Sequence, residues 1–399
     1  MKFFHTADWH LGKLVHGVYM TEDQEYILNQ FLEEIRRERP DAVIIAGDLY
    51  DRSVPPAEAV QLLNRVLEHI VMEMRIPVLA IAGNHDSPSR LHFASGIMKT
   101  AGFHLIGELE LPFEPVRLRD KYGEVHVHLV PYAEPGKVRV VLEDETIHTH
   151  EEAMQAIVRR IRERMDPAAR HVFVGHAFVT PDGEPAENTS DAERPLSIGG
   201  AEYVSAGIFA PFHYTALGHL HQAHHVLNER IQYAGSPLKY SISEEHHRKG
   251  YLMVEMDGDG EVRVEKRELI PRRDMRTVEG KLEEIEKHPV NEDYVFVELL
   301  DETPVLYPME RIRTVYPNAM HVQRKNARFA GSSALSPDGQ SRAGMDELSL
   351  FRAFYREIKG TEVPPETERL FQEVLQDVMG KEGGRVETDP SDHDRIRAV

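Results

Sequence analysis

Five short apolar runs in this chain each stop at a polar residue beside a glycine or a turn. "KFFHTA" leads to Asp8-Trp9-His10, "DAVIIAGD" to Gly47-Asp48 and "IPVLAIAGNHD" to Gly83-Asn84-His85-Asp86. "HVFVGHAFV" contains Gly175-His176, and "YTALGHLH" closes on Gly218-His219-Leu220-His221. Short runs rich in β-branched residues read as buried strands. Glycine lets the backbone turn sharply, so that the next side chain can point into a site. In open α/β sheets ligands bind outside the carboxyl ends of the strands, so these tips can converge on one site.

Amphipathic helical patterns lie between the first strands. "EDQEYILNQFLEEIRRER" places Ile27, Phe31, Leu32 and Ile35 on one face, and "PAEAVQLLNRVLEHIVME" starts behind Pro55-Pro56. The alternation predicts an α/β domain, with a further helix at about 151–165 and antiparallel strands in "IQYAGSPLKYS", "GYLMVEMD" and "EVRVEKREL". At 399 residues there is room for two or three domains. The expected divisions are 1–272 for the main domain, 273–325 for a small α+β unit with a helix in "VEGKLEEIEKH", and 326–343 for a flexible Ser/Gly/Ala-rich linker. A helix pair at 344–380 and a polar tail at 381–399 follow. Leu348, Phe351, Phe354, Tyr355 and Ile358 share one face of the first helix, and Leu370, Phe371, Val374, Leu375 and Val378 one face of the second. A pair this short has little core of its own, so these faces are expected to dock on something else.

Composition narrows the classes. Apolar residues make up 41% and charged residues 29%, which is ordinary for a soluble globular protein. No apolar run approaches the ~18 residues of a membrane span, and "MKFFHTADWH" lacks the apolar core of a signal peptide. There is no cysteine, so any metal must sit among nitrogen and oxygen ligands, and the expected address is the cytoplasm. The net charge of −20 argues against tight, autonomous DNA binding, whose affinity comes from neutralising phosphates. It leaves room for metal ions at a local site, or for a partner that brings the cations.

The donors at the tips suit a pair of metals. Side chains at i and i+2 on an extended segment face one side, so Asp8 with His10, and His219 with His221, can each reach one cluster. The nitrogen and oxygen donors outnumber what one divalent ion needs. Two ions about 3.5–4 Å apart can stabilise both the entering and leaving oxygens of a phosphoryl displacement. A single Asp or His at a strand end is usually structural; five such tips in one domain are hard to explain that way.

The order Asp-x-His, Gly-Asp-x-x-Asp-Arg (Gly47 to Arg52), Gly-Asn-His-Asp, Gly-His and Gly-His-x-His resembles the calcineurin-like metallophosphoesterase superfamily. "HTADWHLGK", "GDLYDRSVPP", "GNHDSPSRL" and "YAGSPLKYSISE" are similar to stretches of the SbcD family of bacterial nuclease subunits. The resemblance implies a β-sandwich flanked by helices, with a capping role for the small unit. It implies that Asp8, His10, Asp48 and His221 hold one metal and that Asp48, Asn84, His176 and His219 hold the second, Asp48 bridging. It gives His85 the task of protonating the leaving oxygen or stabilising its charge. The implied metals are two Mn²⁺, although an all-nitrogen-and-oxygen set also accepts Fe or Zn. The implied activities are 3′→5′ exonuclease on double-stranded DNA ends and endonuclease on single strands or hairpins. The implied partners are an SbcC-like SMC-family ATPase, docked through 344–380, and a second copy in a homodimer.

"GDLYDR" departs from the archaeal and eukaryotic nucleases, which commonly carry a histidine near Asp51, and looks like the phosphatase version. In phosphatases of the superfamily that Asp orients the histidine and the next Arg contacts phosphate. The departure predicts an Asp51–His85 dyad and Arg52 at the phosphate, with a helix-start salt bridge as the alternative for Arg52. Two rivals remain: a phosphatase or small-molecule phosphodiesterase on the same core, and a DNA-tethering scaffold with an inert site. Of the other notable residues, Trp9 is expected to pack beneath the site, His5 to be buried and hydrogen-bonded, and Ser236 to hold a turn. His126 and His128 should share a sheet face. Lys13 and Arg90 are expected in solvent, with contact to DNA phosphates as the alternative, His246 and His247 in a solvated turn, and His224 and His225 at the surface or behind the site.

Overall fold

The apolar runs form strands covered on both faces in the computed structural model, which describes residues 1–183, 203–325, 347–359 and 361–382. One sheet contains β1 (Lys2–Thr6), β2 (Ala42–Ile45), β3 (Val78–Ile81) and β4 (Phe103–Ile106), all parallel. The second contains β5 (Val116–Asp120), β6 (Gly123–Leu129), β7 (Arg170–His176), β8 (Tyr214–Gly218), β9 (His224–Val226) and β10 (Asn228–Tyr233). Its order is β9-β10-β8-β7-β6-β5, with the central four parallel. The chain then returns to the first sheet as β11 (Gly250–Met256) and β12 (Val262–Glu268), giving β12-β11-β1-β2-β3-β4.

Alternation along each strand divides the core between two sides. Phe3, Ile44, Leu79, Val125, Val127, Val172 and Ala216 form one cluster, the filling between the two sheets. Their neighbours Phe4, Val43 and Ile45 turn the other way, onto α1 (Thr21–Glu38) and α2 (Ala57–Leu67) through Ile27, Phe31, Ile35 and Leu62. On the far side Phe173 and Leu217 meet Ile157 and Ile161 of α3 (His150–Arg162). Thr149 and Glu152 start α3 with a capping box. The result is the sandwich flanked by helices that the resemblance implies. The five polar tips come from both sheets: β1, β2 and β3 on one side, β7 and β8 on the other.

A three-stranded sheet follows, β13 (Met275–Gly280), β14 (Tyr294–Leu299) and β15 (His321–Arg324), with its own cluster around Val295, Val297, Ile312 and Tyr316. The helix expected in "VEGKLEEIEKH" is shorter than its pattern. Val278–Gly280 pair in register with β14, and helix spans Leu282–Ile285, where the two buried apolar residues sit. Val15, Met20, Met275, Tyr294, Phe296 and Met320 pack this sheet against the segment that follows His10. Tyr294 donates to Asp23 at 2.6 Å, and Arg273 reaches the same carboxylate at 3.1 Å.

A second unit takes in Leu300–Pro304 and, among the described residues, those from Arg324 onward. Within it two helices, Glu347–Lys359 and Pro365–Glu382, stack Phe351 on Phe371 with ring centroids 3.9 Å apart. Phe354 (60% exposed) and Val374 (61% exposed) stay uncovered. The expected linker at 326–343 lies outside the described residues, as do most of the expected tail and the side chains of Ile358 and Val378.

Candidate metal centre

The strand tips are stitched together before any side chain is considered. Beyond the ladders, the amides of Asp8, His10 and Leu11 donate to the carbonyls of Gly47, Asp48 and Leu49. Asp86 binds the amides of Leu49, Tyr50 and Gly83 at 2.9–3.1 Å, so one carboxylate ties two tips together. Burial and the neighbouring Asp48 push its carboxyl up to about 8, against those three donors. Four candidate ligands hold left-handed backbone: Asp8 at φ 54°, His10 at 45°, Asp48 at 51° and His219 at 109°. Asp and His tolerate this region better than most side chains, yet each such residue stores on the order of 1–3 kcal/mol of strain. Gly83 must be glycine, because a Cβ there would lie 2.2 Å from Asp48 Oδ1.

Asp8, His10 and His221 offer ligand atoms within 4.8 Å of one another, and so do Asp8, Asp48 and His176. His221 donates from Nδ1 to Glu244 at 2.9 Å, so its Nε2 carries a lone pair; that atom lies 3.1 Å from His10 Nε2. His176 donates from Nδ1 to the Ala46 carbonyl at 2.9 Å, which turns the lone pair of its Nε2 toward Asn84 Oδ1 at 2.8 Å and Asp48 Oδ2 at 3.5 Å. Around His176 acceptors thus face acceptors in a buried space, which calls for cations. The donor set therefore fits the divalent metal ions that the fold implies. Burial, reinforced by neighbouring histidine rings, lowers the proton affinity of His10 and His219 well below the ordinary imidazole range, which keeps both neutral and able to ligate. His219 gives its amide to Asp8 at 3.0 Å and sets its ring 5.4 Å from that of His176.

His85 and Asp51 meet differently from the expected dyad. His85 Nδ1 donates to the backbone carbonyl of Asp51 at 2.8 Å, while the Asp51 carboxylate stands 3.9 Å away. That carboxylate pairs with Lys13 at 2.8 Å, because the turn after Leu49 directs it toward the Gly12-Lys13 bend. Lys13, expected in solvent, thus sits beside the site. Arg52, half exposed, reaches Asp51 at 3.7 Å, in keeping with the salt-bridge alternative.

Sequence reasoning missed the layer behind the ligands. Glu244 is fully buried and contacts both His221 and Lys249 (2.5 Å). Burial alone would raise its carboxyl, but the Lys249 ammonium and the His221 ring together hold it well below the usual range. Lys249 also donates to the His221 carbonyl and to Ser236 Oγ, at 2.8 and 2.9 Å. Gln24 spans the loop after β1, accepting from the Gly12 amide and donating to the carbonyls of Trp9 and His10. The signals lay in "SEEHHRKG" and in a polar residue on the buried face of α1, but neither spacing advertises a role. Trp9 packs beneath the site on Phe31, His5 bridges Tyr214 and Leu217, and Ser236 holds its turn, all as expected. His224 lies in β9 and stacks on Tyr233, and His225 is exposed. His246 is solvated, whereas His247 is half-buried beside Lys249.

A helix-flanked sandwich that gathers acidic and imidazole acceptors at five strand ends defines a metal-dependent phosphoesterase. Residues 1–222 match the calcineurin-like phosphoesterase family, and the chain belongs to it. Residues 271–359 match the SbcD C-terminal family, described as the type 5 capsule protein repressor C-terminal domain. Among solved structures, the chain is similar to TT1561 of Thermus thermophilus, at 12% identity and TM-score 0.37, over 66% of this chain and 98% of that one. It is also similar to a dimetal phosphatase from Danio rerio, at 13% identity and TM-score 0.38, over 64% of this chain and 92% of that one. Likeness this distant says nothing of substrate. No helix among the described residues is long and apolar enough to cross a membrane.

Proposed function

We propose that this chain is a cytoplasmic metal-dependent DNA nuclease, a 3′→5′ exonuclease on duplex ends and an endonuclease on single strands or hairpins. It works with an SbcC-like ATPase in DNA end processing. The observation that carries the reading is the small sheet β13–β15, in a stretch that matches the SbcD C-terminal family and packs against the loop leaving His10. A phosphatase acting on small esters has no need of an added unit there. The rival small-ester reading draws on "GDLYDR".

Asp8, His10, Asp48 and His221 would hold one ion, and Asp48, Asn84, His176 and His219 the other, with Mn²⁺ the leading candidate. Bound divalent cations supply Lewis acidity toward the phosphate and lower the proton affinity of water at the site. The chain's own residues then orient and exchange protons. His85 is held by the Asp51 carbonyl on Nδ1, so Nε2 is the nitrogen that takes or gives a proton at the departing sugar oxygen. Lys13 pairs with the Asp51 carboxylate beside that histidine, and Gln24 fixes the loop carrying His10.

The test uses purified full-length chain with Mn²⁺, with and without the ATPase, on end-labelled duplex, hairpin DNA and p-nitrophenyl phosphates. DNA cleavage that disappears in His85→Ala, with Mn²⁺ binding retained, is expected. Cleavage confined to the small esters would overturn the nuclease reading.

A further inference from the structure

A cleft of ≈ 450 Å³ opens beside the metal centre, on the side of Asn84 and His176. Asn84, Pro88, Leu109, Tyr132, Glu108 and Glu134 contribute to its walls. It is continuous with the site, because Asn84 lines the cleft and also contacts His176 at 2.8 Å. Its geometry is fixed on both sides. The Tyr132 amide donates to the Ala82 carbonyl at the end of β3, and the ring leans edge-on to His176 while lying nearly parallel to His150. Opposite, Gly107 lets its loop close on the 88–92 helix, where a Cβ would meet the Pro88 carbonyl at 2.3 Å.

We propose that this cleft is a nucleoside subsite, in which Tyr132 stacks against the base of a nucleotide next to the scissile phosphate. The proposal rests on the nuclease reading above. The volume falls within the range of small-molecule sites. Pro88, Leu109 and Ala133 give the cleft apolar wall, and Tyr132 gives it one aromatic ring, a surface on which any base stacks without sequence preference. Glu108 and Glu134 outnumber the one cation of the lining, Lys137, and their oxygens match the N–H donors on base edges. A phosphate bound between Asn84 and His85 leaves its attached nucleoside beside this cleft, so the subsite would place the ester for attack.

The experiment compares three oligonucleotides with full-length chain and Mn²⁺: one fully base-bearing, and two with an abasic residue on either side of the bond cut. Bis(p-nitrophenyl) phosphate, which has no base, reports the hydrolytic core. Wild type is expected to lose roughly tenfold in kcat/KM when one of the two bases is missing, the scale of one base–aromatic stack. In Tyr132→Ala that ratio collapses toward one, and Tyr132→Phe restores it. A wild-type ratio near one on both sides, with DNA still cut, overturns the subsite and leaves the nuclease reading standing. An unchanged ratio in Tyr132→Ala overturns it equally. If wild type hydrolyses the small ester and neither DNA nor abasic DNA, the nuclease reading falls and the subsite with it.

Discussion

At the scale of single residues, the site depends on side chains that never touch a metal. His221 would ligate through Nε2 while Glu244 holds its Nδ1, and the Lys249 ammonium with the His221 ring keeps Glu244 charged in the interior. Glu244→Gln should therefore weaken Mn²⁺ binding about 10–100-fold, the usual cost of losing a carboxylate behind a ligating imidazole. Isothermal titration calorimetry measures this, and unaltered affinity would remove Glu244 from the centre's design. Gly83 is constrained by space. In Gly83→Ala the new methyl competes with Asp48 Oδ1, so the thermal midpoint should fall and added Mn²⁺ should no longer raise it. Gly96→Ala, in the helix Ser95–Ala101 where a Cβ meets nothing within 4 Å, serves as the matched control: the midpoint should hold or rise slightly, and Mn²⁺ should still raise it.

At the scale of elements, what the sequence made legible was what repeats. Continuous apolar strands, buried on both faces, and helices with one apolar face were readable, and so was each motif at a strand end. The division of those ends between two sheets was not, since nothing in β1 or β7 specifies its partner in space. The Asp51–His85 contact was half legible: the right residue, acting through its carbonyl, an atom that no side-chain pattern encodes. The paired histidines of β6 show a related limit. His126 and His128 do share a face, but His128 also meets His171 of β7 at 3.1 Å, a contact between strands over 40 residues apart. Burial, aided by charge on His171 and His126, lowers the His128 pKa to about 3. The folded protein thus keeps this ring neutral while the unfolded chain takes up a proton near 6.5. Its contribution is present above that value and is lost progressively as pH falls from 6.5 toward 3. Urea midpoints between pH 7.5 and 4.5 should fall for the wild type and fall less steeply for His128→Gln. Parallel slopes would exclude this ring from the acid response.

At the scale of the whole molecule, a net charge of −20 sits poorly with a protein that must hold DNA unaided. On the nuclease reading proposed above, the sandwich would bring metals and the ATPase grip. The helix pair would then be the handle. Phe351 and Phe371 satisfy each other, leaving Phe354 and Val374 to something outside the pair. Phe354→Glu with Val374→Glu should abolish co-sedimentation with the ATPase in analytical ultracentrifugation while p-nitrophenyl ester hydrolysis persists. Intact association would move the handle elsewhere. The twisted backbone at Asp8, His10, Asp48 and His219 carries a consequence for descent as well as for chemistry. Glycine would relax each of these positions; the proposed ligand role opposes the exchange at all four, and at Asp8 and Asp48 so do the hydrogen bonds accepted from the His219 and His85 amides. A descendant released from catalysis should therefore drift toward glycine or asparagine at these four positions before its β-branched core changes. In a related chain of unknown activity, such a pattern would mark a retired enzyme.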